Sequence, residues 1–533
     1  MAKYLEYHVK HEDEESVKSE DTPKTLEDVL ESIGGFGRFQ VLMLLFILFF
    51  EIPAGMLAFL PVFVGKVPKS WKCISEHETV IMDSNEICQC NATRFSLSMT
   101  IVSEWELICE SSWVVDSITT FQMFGMFFGN TIPPQISDWY GRKPTFIGLI
   151  FTMGLGQVGT ALSINPYFFA LSRFICGIGL AGYMTINGIY AIEFLTPSWR
   201  QLASCLGPLG EGVILLGILA YLIEPWRLLT WATAFPFISI IFMVPFLPES
   251  PRWLLKQKRI EEAEGVIRYI AGVNKAEVHH LDILKKIAAQ ESGSSDTRFS
   301  YLDLFRRKEL RRKTILFIGI WFCWALQYFG ISFNVRNFGV SPYLMLILLG
   351  GADCIGFRAA LLVNNRLGRR TALILFNGVS SVFFLALGFI QLFLELEEYK
   401  ILFIVFILLG KLGVAGARSS VRCLTVESYP VSIRTMGFGM ARISAAIGGI
   451  AAPQLAYIGT MWPAVPLFTF AILGILGSLI SILLKETGGK PLQDDLNAPE
   501  GNAKVVPIVS KNKKKLHKNG PLKPITIRRT KSF

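Results

Sequence analysis

Many ionisable side chains stand inside apolar stretches of this 533-residue chain, among them Glu51, Glu211, Asp353, Arg358, Lys411, Arg418, Arg422 and Arg442. A charge held at membrane depth is costly unless it faces a water-filled cavity or meets a partner. Lys411, Arg418 and Arg422 are separated by seven and four residues, which puts them on one stripe of a helix with 3.6 residues per turn. Such a stripe is expected to face a central cavity. Alternating helix directions bring Arg358, Arg418 and Arg442 to similar depths. Guanidinium groups grip planar carboxylates and sulfates through paired hydrogen bonds, so the expected chemistry is a cationic pocket for an organic anion or for the carboxylate of a zwitterion. Asp353 and Lys411 join its candidate lining, and Glu51 or Glu211 could hold an ammonium or carry a coupling proton. A plainer arrangement stays open, in which Arg422 snorkels to the membrane interface and Arg358 and Arg418 pair with Asp353 or with helix ends. Trp321, Trp324 and Tyr328, at spacings of three and four, share one helix face. They could stack an organic substrate or a cation, or simply pack.

The elements that must position these residues are legible in the bulk composition. The chain is 51% hydrophobic and 18% charged, with a mean hydropathy of +0.44, whereas a soluble chain is about one quarter charged. Twelve apolar runs reach the roughly 20 residues that a bilayer crossing needs: 39–61, 114–135, 144–163, 166–190, 202–222, 227–247, 313–333, 342–363, 371–392, 400–425, 434–457 and 464–484. Backbone groups in lipid must be satisfied within their own segment, so the runs are expected to be helices, and no strand pattern is expected. The first run follows a long polar stretch, unlike a cleavable signal peptide. The organisation expected is an N-terminal segment 1–38, six helices over 39–247 with an external loop at about 64–113, a central loop 248–312, six helices over 313–484, and a basic tail 485–533.

Lys and Arg collect in the loops after runs 2 and 8, in the central loop and in the tail, which places both termini in the cytoplasm. Glu104, Glu106 and Glu110, and Glu395, Glu397 and Glu398, mark segments expected outside. Positive-inside bias supplies most of the net charge of +10, so no nucleic-acid partner is needed. The tail either touches anionic lipid or is solvated. Cys73, Cys88, Cys90 and Cys109 lie in the first external loop, where an even set suggests two disulfides in any of three pairings. Asn91-Ala92-Thr93 there is an N-glycosylation sequon. No phosphate-binding loop, metal-ligand spacing or catalytic constellation is present in the sequence, so neither a cofactor nor an enzyme is expected.

The two halves repeat. Asp138-Trp139-Tyr140-Gly141-Arg142-Lys143 after run 2 corresponds to Asn365-Arg366-Leu367-Gly368-Arg369-Arg370 after run 8. Glu193, Pro197 and Arg200 after run 4 correspond to Glu427, Pro430 and Arg434 after run 10. Parallel repeats of this kind characterise transporters that rock two bundles about a midplane site. Gly141 permits a tight turn, and Arg142 is expected to pair with Asp138 or Glu193 in a gate. For Arg369 and Arg370, with Asn365 in place of the aspartate, a topological role alone is expected.

The repeated Gly-Arg-Lys and Glu-Pro-Arg residues resemble the major facilitator pattern. Pro248–Leu254 and Glu486–Leu492 occur in similar form in sugar porters and organic ion transporters. Ser98–Cys109, the Cys-bearing loop, Ala220-Tyr221 with Trp226-Arg227, and Tyr328 before Gly330 resemble the organic cation/anion/carnitine transporters over residues 30–495. The resemblance implies an all-α membrane protein with twelve transmembrane helices in two six-helix bundles, a multi-pass protein of the plasma membrane. It implies a transporter of small organic ions, with an anion or zwitterion slightly favoured. A facilitative sugar porter and a non-transporting receptor of the same fold are the alternatives. Four positions depart from the family: Ala446 replaces the charged residue of run 11 that marks substrate sign, Asp353 replaces a glutamate near a proline, and Arg418 and Arg422 stand where aromatics are usual.

Overall fold

A computed structural model describes residues 25–488 apart from 69, 75–78, 84–86, 91–92, 97–98, 197–198, 200–206, 279–280, 294–300, 394–397 and 431–432. Asn91, Arg200, Glu395, Glu397 and the basic tail therefore lie outside the described residues. Among the described residues, twelve helical segments follow the order of the predicted spans: α1 Arg38–Val64, α2 Trp113–Tyr140, α3 Arg142–Ala161, α4 Pro166–Ile192, α5 Leu209–Leu222, α6 Trp226–Phe246, α7 Lys308–Phe333, α8 Pro342–Leu367, α9 Arg369–Phe393, α10 Lys400–Ser428, α11 Arg434–Met461 and α12 Ala464–Ile482. Nine of them are long and apolar enough to cross a membrane by length and composition. Helices α2, α3 and the shorter α5 are not among the nine, and in α2 the reason is visible in the fold. Its polar residues Asp116, Thr119, Gln122, Asn130 and Ser137 recur at helical spacing and are buried against other helices instead of facing out.

The helices form two bundles of the major facilitator fold. Helix α2 packs on α4 and α3 on α4 in the first; α7 packs on α11 and α12, α8 on α10 and α9 on α10 and α12 in the second. Two seams join the bundles, α2 with α11 and α5 with α8. The second seam is backbone-close because a Cβ at Gly210 would lie 2.9 Å from the Gly350 carbonyl oxygen, and one at Gly350 would lie equally close to the Gly210 carbonyl.

The two ends of the molecule differ. One end carries the segment between α1 and α2, and contrary to the all-helical expectation it contains a sheet. Strands β1 Ser70–Ile74, β2 Thr79–Asp83 and β3 Thr93–Phe95 form an antiparallel sheet of order β2-β1-β3, short enough to be obscured by the polar composition around it. The cysteines pair as Cys73–Cys90 and Cys88–Cys109, one of the three possible arrangements. Glu104 of the signature segment accepts a hydrogen bond from Trp226 Nε1 at 2.8 Å and pairs with Arg227, while Trp226 N donates to Met99 O. The segment therefore clamps the start of α6. Replacing Glu104 by Ala should cost on the order of 1 kcal/mol, since the pair is more than a third exposed. The predicted readout is a lowered unfolding midpoint of the detergent-solubilised protein with unchanged substrate affinity.

The opposite end carries the central loop. There Leu26–Ser32 and Ile260–Asn274 form helices. Asn274 ties them to α1, accepting from Phe39 N at 2.9 Å and donating to Ile33 O at 3.0 Å.

Candidate substrate-binding site

The turns from α2 to α3 and from α8 to α9 show how the repeated motif works. Gly141 and Gly368 have φ of 113° and 88°, in the left-handed region that glycine enters without strain. Arg142 then reaches Asp138, Ser137 and Glu193 within one bundle. In the second bundle Arg369 is also paired, through Nε to Glu427 at 3.1 Å, so the expectation of a purely topological role for it does not hold. Glu427, the counterpart of Glu193, also accepts a hydrogen bond from Thr487 Oγ1 at 2.6 Å. Arg434 Nε donates to the Tyr429 carbonyl.

Glu249 and Glu486, one after each bundle's last helix, were not singled out in sequence. Glu249 accepts from Arg142 N and Lys143 N, and Glu486 accepts from Arg369 N and Arg370 N. Each carboxylate thus sits at the N-terminus of α3 or α9, where the helix dipole favours it. Burial pushes the Glu249 carboxyl up, outweighing its backbone bonds. Burial acts the same way on Glu486, but there the N–H groups of Gly488, Arg369, Arg370 and Thr371 win and hold it below the usual carboxylate value. The signal was available, because the motifs containing the two glutamates recur at matching positions in the two halves.

A cavity lies between the bundles. Its walls are Ala58 and Phe59 of α1, Met123, Met126 and Asn130 of α2, Leu180 and Met184 of α4, Leu209 of α5, Trp324, Tyr328 and Phe329 of α7, Arg418 of α10, and Arg442, Ala445, Ala446 and Gly449 of α11. Two of the predicted basic residues are therefore brought together on an apolar, aromatic and thioether wall. Arg442 is 8% exposed and its Nε has no hydrogen-bond partner. The Arg418 guanidinium lies 4.9 Å from the centre of the Phe357 ring. Among the described residues neither Arg418 nor Arg442 forms an ion pair. Asn130 fixes the backbone there by donating to the Arg442 carbonyl at 3.3 Å.

Other predicted residues are placed elsewhere. Asp353 and Lys411 are buried in the second bundle, 3.5 Å apart. Lys411 Nζ donates to Ser332 Oγ at 2.8 Å and lies over the Tyr328 ring, and the Tyr328 hydroxyl donates to Asp353 at 3.0 Å. The pair is one helix layer behind the cavity and reaches it only through Tyr328, which corrects the expectation that both acid and base line the pocket. Trp321 is likewise withdrawn, donating to Thr425 Oγ1 at 3.0 Å. Trp324 donates to the Val414 carbonyl and presents its ring to the cavity.

Glu211 and Arg358 overturn their assignment more completely. They pair with each other across the α5–α8 seam. Glu211 shares its helix face with the exposed residues Leu215, Ile218 and Leu222, and Arg358 lies beside Ile355 and Leu362, which are 60% and 64% exposed. The pair therefore sits on the outer, lipid-directed side of the seam, about 13 Å along the axis from the end of α8. Pairing offsets the cost of charge at that depth.

Glu51 stays inside. Its Oε1 accepts from Asn187 Nδ2 at 2.7 Å, and Arg418 and Arg422 act on it electrostatically from the other bundle.

The sheet end of the cavity is closed between the bundles. Phe59 packs on Tyr328, Phe329 and Phe333 with ring centres 5.8–6.3 Å apart. Phe63 stacks on Tyr343, whose hydroxyl meets Lys66 Nζ at 3.2 Å. Arg336 Nη2 donates to both oxygens of Asp116 at 2.9 Å. No sequence signal links Asp116 with Arg336, which stand in different repeats.

Comparison with known proteins agrees with this architecture. The family model "Sugar (and other) transporter" matches residues 82–494. The organic cation transporter protein of Drosophila melanogaster is 29% identical over 79% of this chain and 78% of its own. The organic cation/carnitine transporter 2 of Mus musculus is 30% identical over 75% and 71%, and the organic anion transporter 3 of Sus scrofa is 30% identical over 74% and 73%. The xylose transporter XylE from E. coli, in an inward-open conformation, superposes with a TM-score of 0.60 at 18% identity, covering 84% of this chain and 98% of that one; that likeness shows the fold alone. The chain belongs to the sugar (and other) transporter family of the major facilitator superfamily, within the group of solute carrier family 22 and the organic cation, anion and carnitine transporters. It is a multi-pass membrane protein of a transporter family.

Proposed function

We propose that the chain carries small organic ions across the plasma membrane by alternating access, with anions or zwitterions favoured over cations. The carrying observation is the pair Arg418 and Arg442 on the cavity wall, neither in an ion pair among the described residues. An anion would bring hydrogen-bond acceptors to two guanidinium groups that form no ion pair among the described residues, one of them with an unpartnered Nε, and the surrounding Trp324, Tyr328, Phe329 and methionines would hold an apolar body. The relatives' names include cation, carnitine and anion transporters, so they support the substrate class without selecting its charge.

In this reading the sheet end is external and the central-loop end cytoplasmic. Two disulfides at the sheet end suit an oxidising space, and the basic loops suit the cytoplasm. Asp116–Arg336 and the Phe59 cluster form the outer gate, shut in this state. The networks of Arg142 with Asp138 and Glu193, and of Arg369 with Glu427, hold each bundle rigid at the inner side while the bundles rock.

Uptake into cells expressing the chain, measured with a mixed panel of organic cations, organic anions, carnitine and hexoses, tests the proposal. Saturable uptake of an organic anion or a zwitterion is expected. Uptake confined to hexoses, or no uptake from a protein that still binds ligand at the surface, overturns it.

A further inference from the structure

Arg173 on α4 is 0% exposed, and among the described residues it pairs with no carboxylate. A guanidinium keeps its charge in any protein setting, and a charge inside a membrane bundle without a counter-ion is costly. Its partners are neutral and come from three other helices. Nε donates to Gln122 Oε1 of α2 at 2.9 Å, Nη1 to Gln157 Oε1 of α3 at 2.8 Å, and Nη2 to the Leu57 carbonyl of α1 at 2.6 Å. Taking the oxygen of each amide leaves its NH2 free to donate elsewhere. Gln122 Nε2 donates to the Ala58 carbonyl of α1 at 3.1 Å, and Gln157 Nε2 to Thr233 Oγ1 of α6 at 2.9 Å.

The two α1 carbonyls stand at a joint. Helix α1 consists of three pieces, Arg38–Phe49, Glu51–Phe59 and Pro61–Val64. Leu60, between the last two, keeps helical angles of φ −49° and ψ −39°. The Leu57 carbonyl is therefore aimed at the backbone nitrogen four residues on, which belongs to Pro61 and carries no hydrogen. Left alone in the interior, that carbonyl would be an unsatisfied acceptor. Arg173 supplies the missing donor, and it does so at the end of a helical piece whose dipole favours a cation. Phe59 and Phe63 flank the joint. Phe59 packs on Tyr328, Phe329 and Phe333, and Phe63 stacks on Tyr343, all of the second bundle. The angle at the joint thus decides whether both rings reach across.

We propose that Arg173 is a positioning residue for the outer gate: its guanidinium replaces the hydrogen bond that Pro61 withholds from the Leu57 carbonyl and so sets the α1 joint that presents Phe59 and Phe63 to the second bundle. It touches neither the cavity wall nor the gate itself and acts through α1. The inference rests on the alternating-access reading, in which the sheet end opens and shuts, and adds to it the element that holds one side of the gate in place. A neutral donor could satisfy one carbonyl. The planar fork of an arginine meets that carbonyl and two amides at once, which ties the joint to α2, α3 and α4 together.

The test uses the full-length chain in cells, with Gly449→Cys on the cavity wall as reporter. An impermeant thiol reagent is applied from the sheet side, and labelling is scored above that of the chain without the reporter. Arg173→Met, of similar length but with no donor, is expected to raise labelling about tenfold, the ratio that a lost hydrogen bond from a charged group brings. Adding Pro61→Ala restores a backbone N–H aimed at the Leu57 carbonyl and none of Arg173's other bonds. The double variant is therefore expected to return most of the way to the reporter's own level. Pro61→Ala alone should label no more than the reporter. Unchanged labelling in Arg173→Met overturns the proposal, and so does a rise that Pro61→Ala fails to lower, because Arg173 would then serve only the packing of the first bundle. If Arg173→Met fails to reach the surface, the double variant decides. Recovery at the surface with low labelling upholds the joint, and continued loss overturns it. Uptake is not read, so these outcomes leave the substrate open. A sheet end that stays unlabelled in every variant, Asp116→Asn included, overturns the alternating-access reading and the positioning role with it.

Discussion

Arg442→Gln is expected to abolish organic-anion uptake while the protein still reaches the cell surface. The guanidinium is 8% exposed, lines the cavity and leaves Nε without a partner. Removing it breaks no ion pair among the described residues, so the fold loses little. A bound anion, by contrast, loses a charged and nearly dry contact. Truncating one side of such a contact costs about 2–5 kcal/mol, roughly thirty- to several-thousand-fold in affinity. Arg418→Gln should act in the same direction but less strongly, because Arg418 is more exposed than Arg442. Arg442→Lys keeps the charge and loses the planar fork, so it should fall between wild type and Gln. Surface biotinylation beside initial-rate uptake separates the outcomes. Unchanged kinetics in Arg442→Gln would remove the cationic site, and loss of surface protein would make Arg442 a structural residue.

Asp116→Asn is expected to open the sheet end. The pair it makes with Arg336 joins α2 of one bundle to the segment following α7 of the other, with both carboxylate oxygens engaged and the Asp116 side chain only 10% exposed. Breaking one partner of a buried pair costs about 3–5 kcal/mol because the remaining charge is left uncompensated. Here that penalty falls on the closed state alone, since the pair separates when the bundles part. A bias of even 2 kcal/mol changes a two-state ratio about thirtyfold. Labelling of Met123→Cys or Gly449→Cys, both on the cavity wall, by an impermeant thiol reagent from the sheet side should rise severalfold in the Asp116→Asn background. Uptake should fall as the transporter stalls. Exchanging the two residues, Asp116→Arg with Arg336→Asp, should restore part of the closure. Labelling that stays at the wild-type level would show that aromatic packing around Phe59 closes this end by itself.

These two predictions differ in how far the sequence could have reached them. Arg442 stood out as a charge within an apolar run, and its depth followed from helix direction. Asp116 and Arg336 carried no such mark. Each lies near the end of a span, where charge is ordinary, and their partnership depends on how two bundles meet across 220 residues of chain.

The twelve spans, their order, the repeated halves and the family resemblance were properties of the sequence by itself. Hydropathy and helical spacing are set within a single segment, and a bilayer admits few structures that satisfy the backbone internally. The ion pair of Arg142 with Asp138 was equally local, being one helical turn apart across a glycine-permitted bend. The tertiary structure alone decided where each intramembrane charge is spent. Lys411 and Arg418 share a stripe, yet Lys411 is consumed by Asp353, Ser332 and Tyr328 while Arg418 reaches the cavity. Glu211 and Arg358 neutralise each other on the lipid side of a seam instead of serving the substrate. The physical reason is rotation: sequence spacing shows which residues share a helix face, but the direction in which that face points is set by packing against other helices, through close glycine contacts such as Gly210 with Gly350.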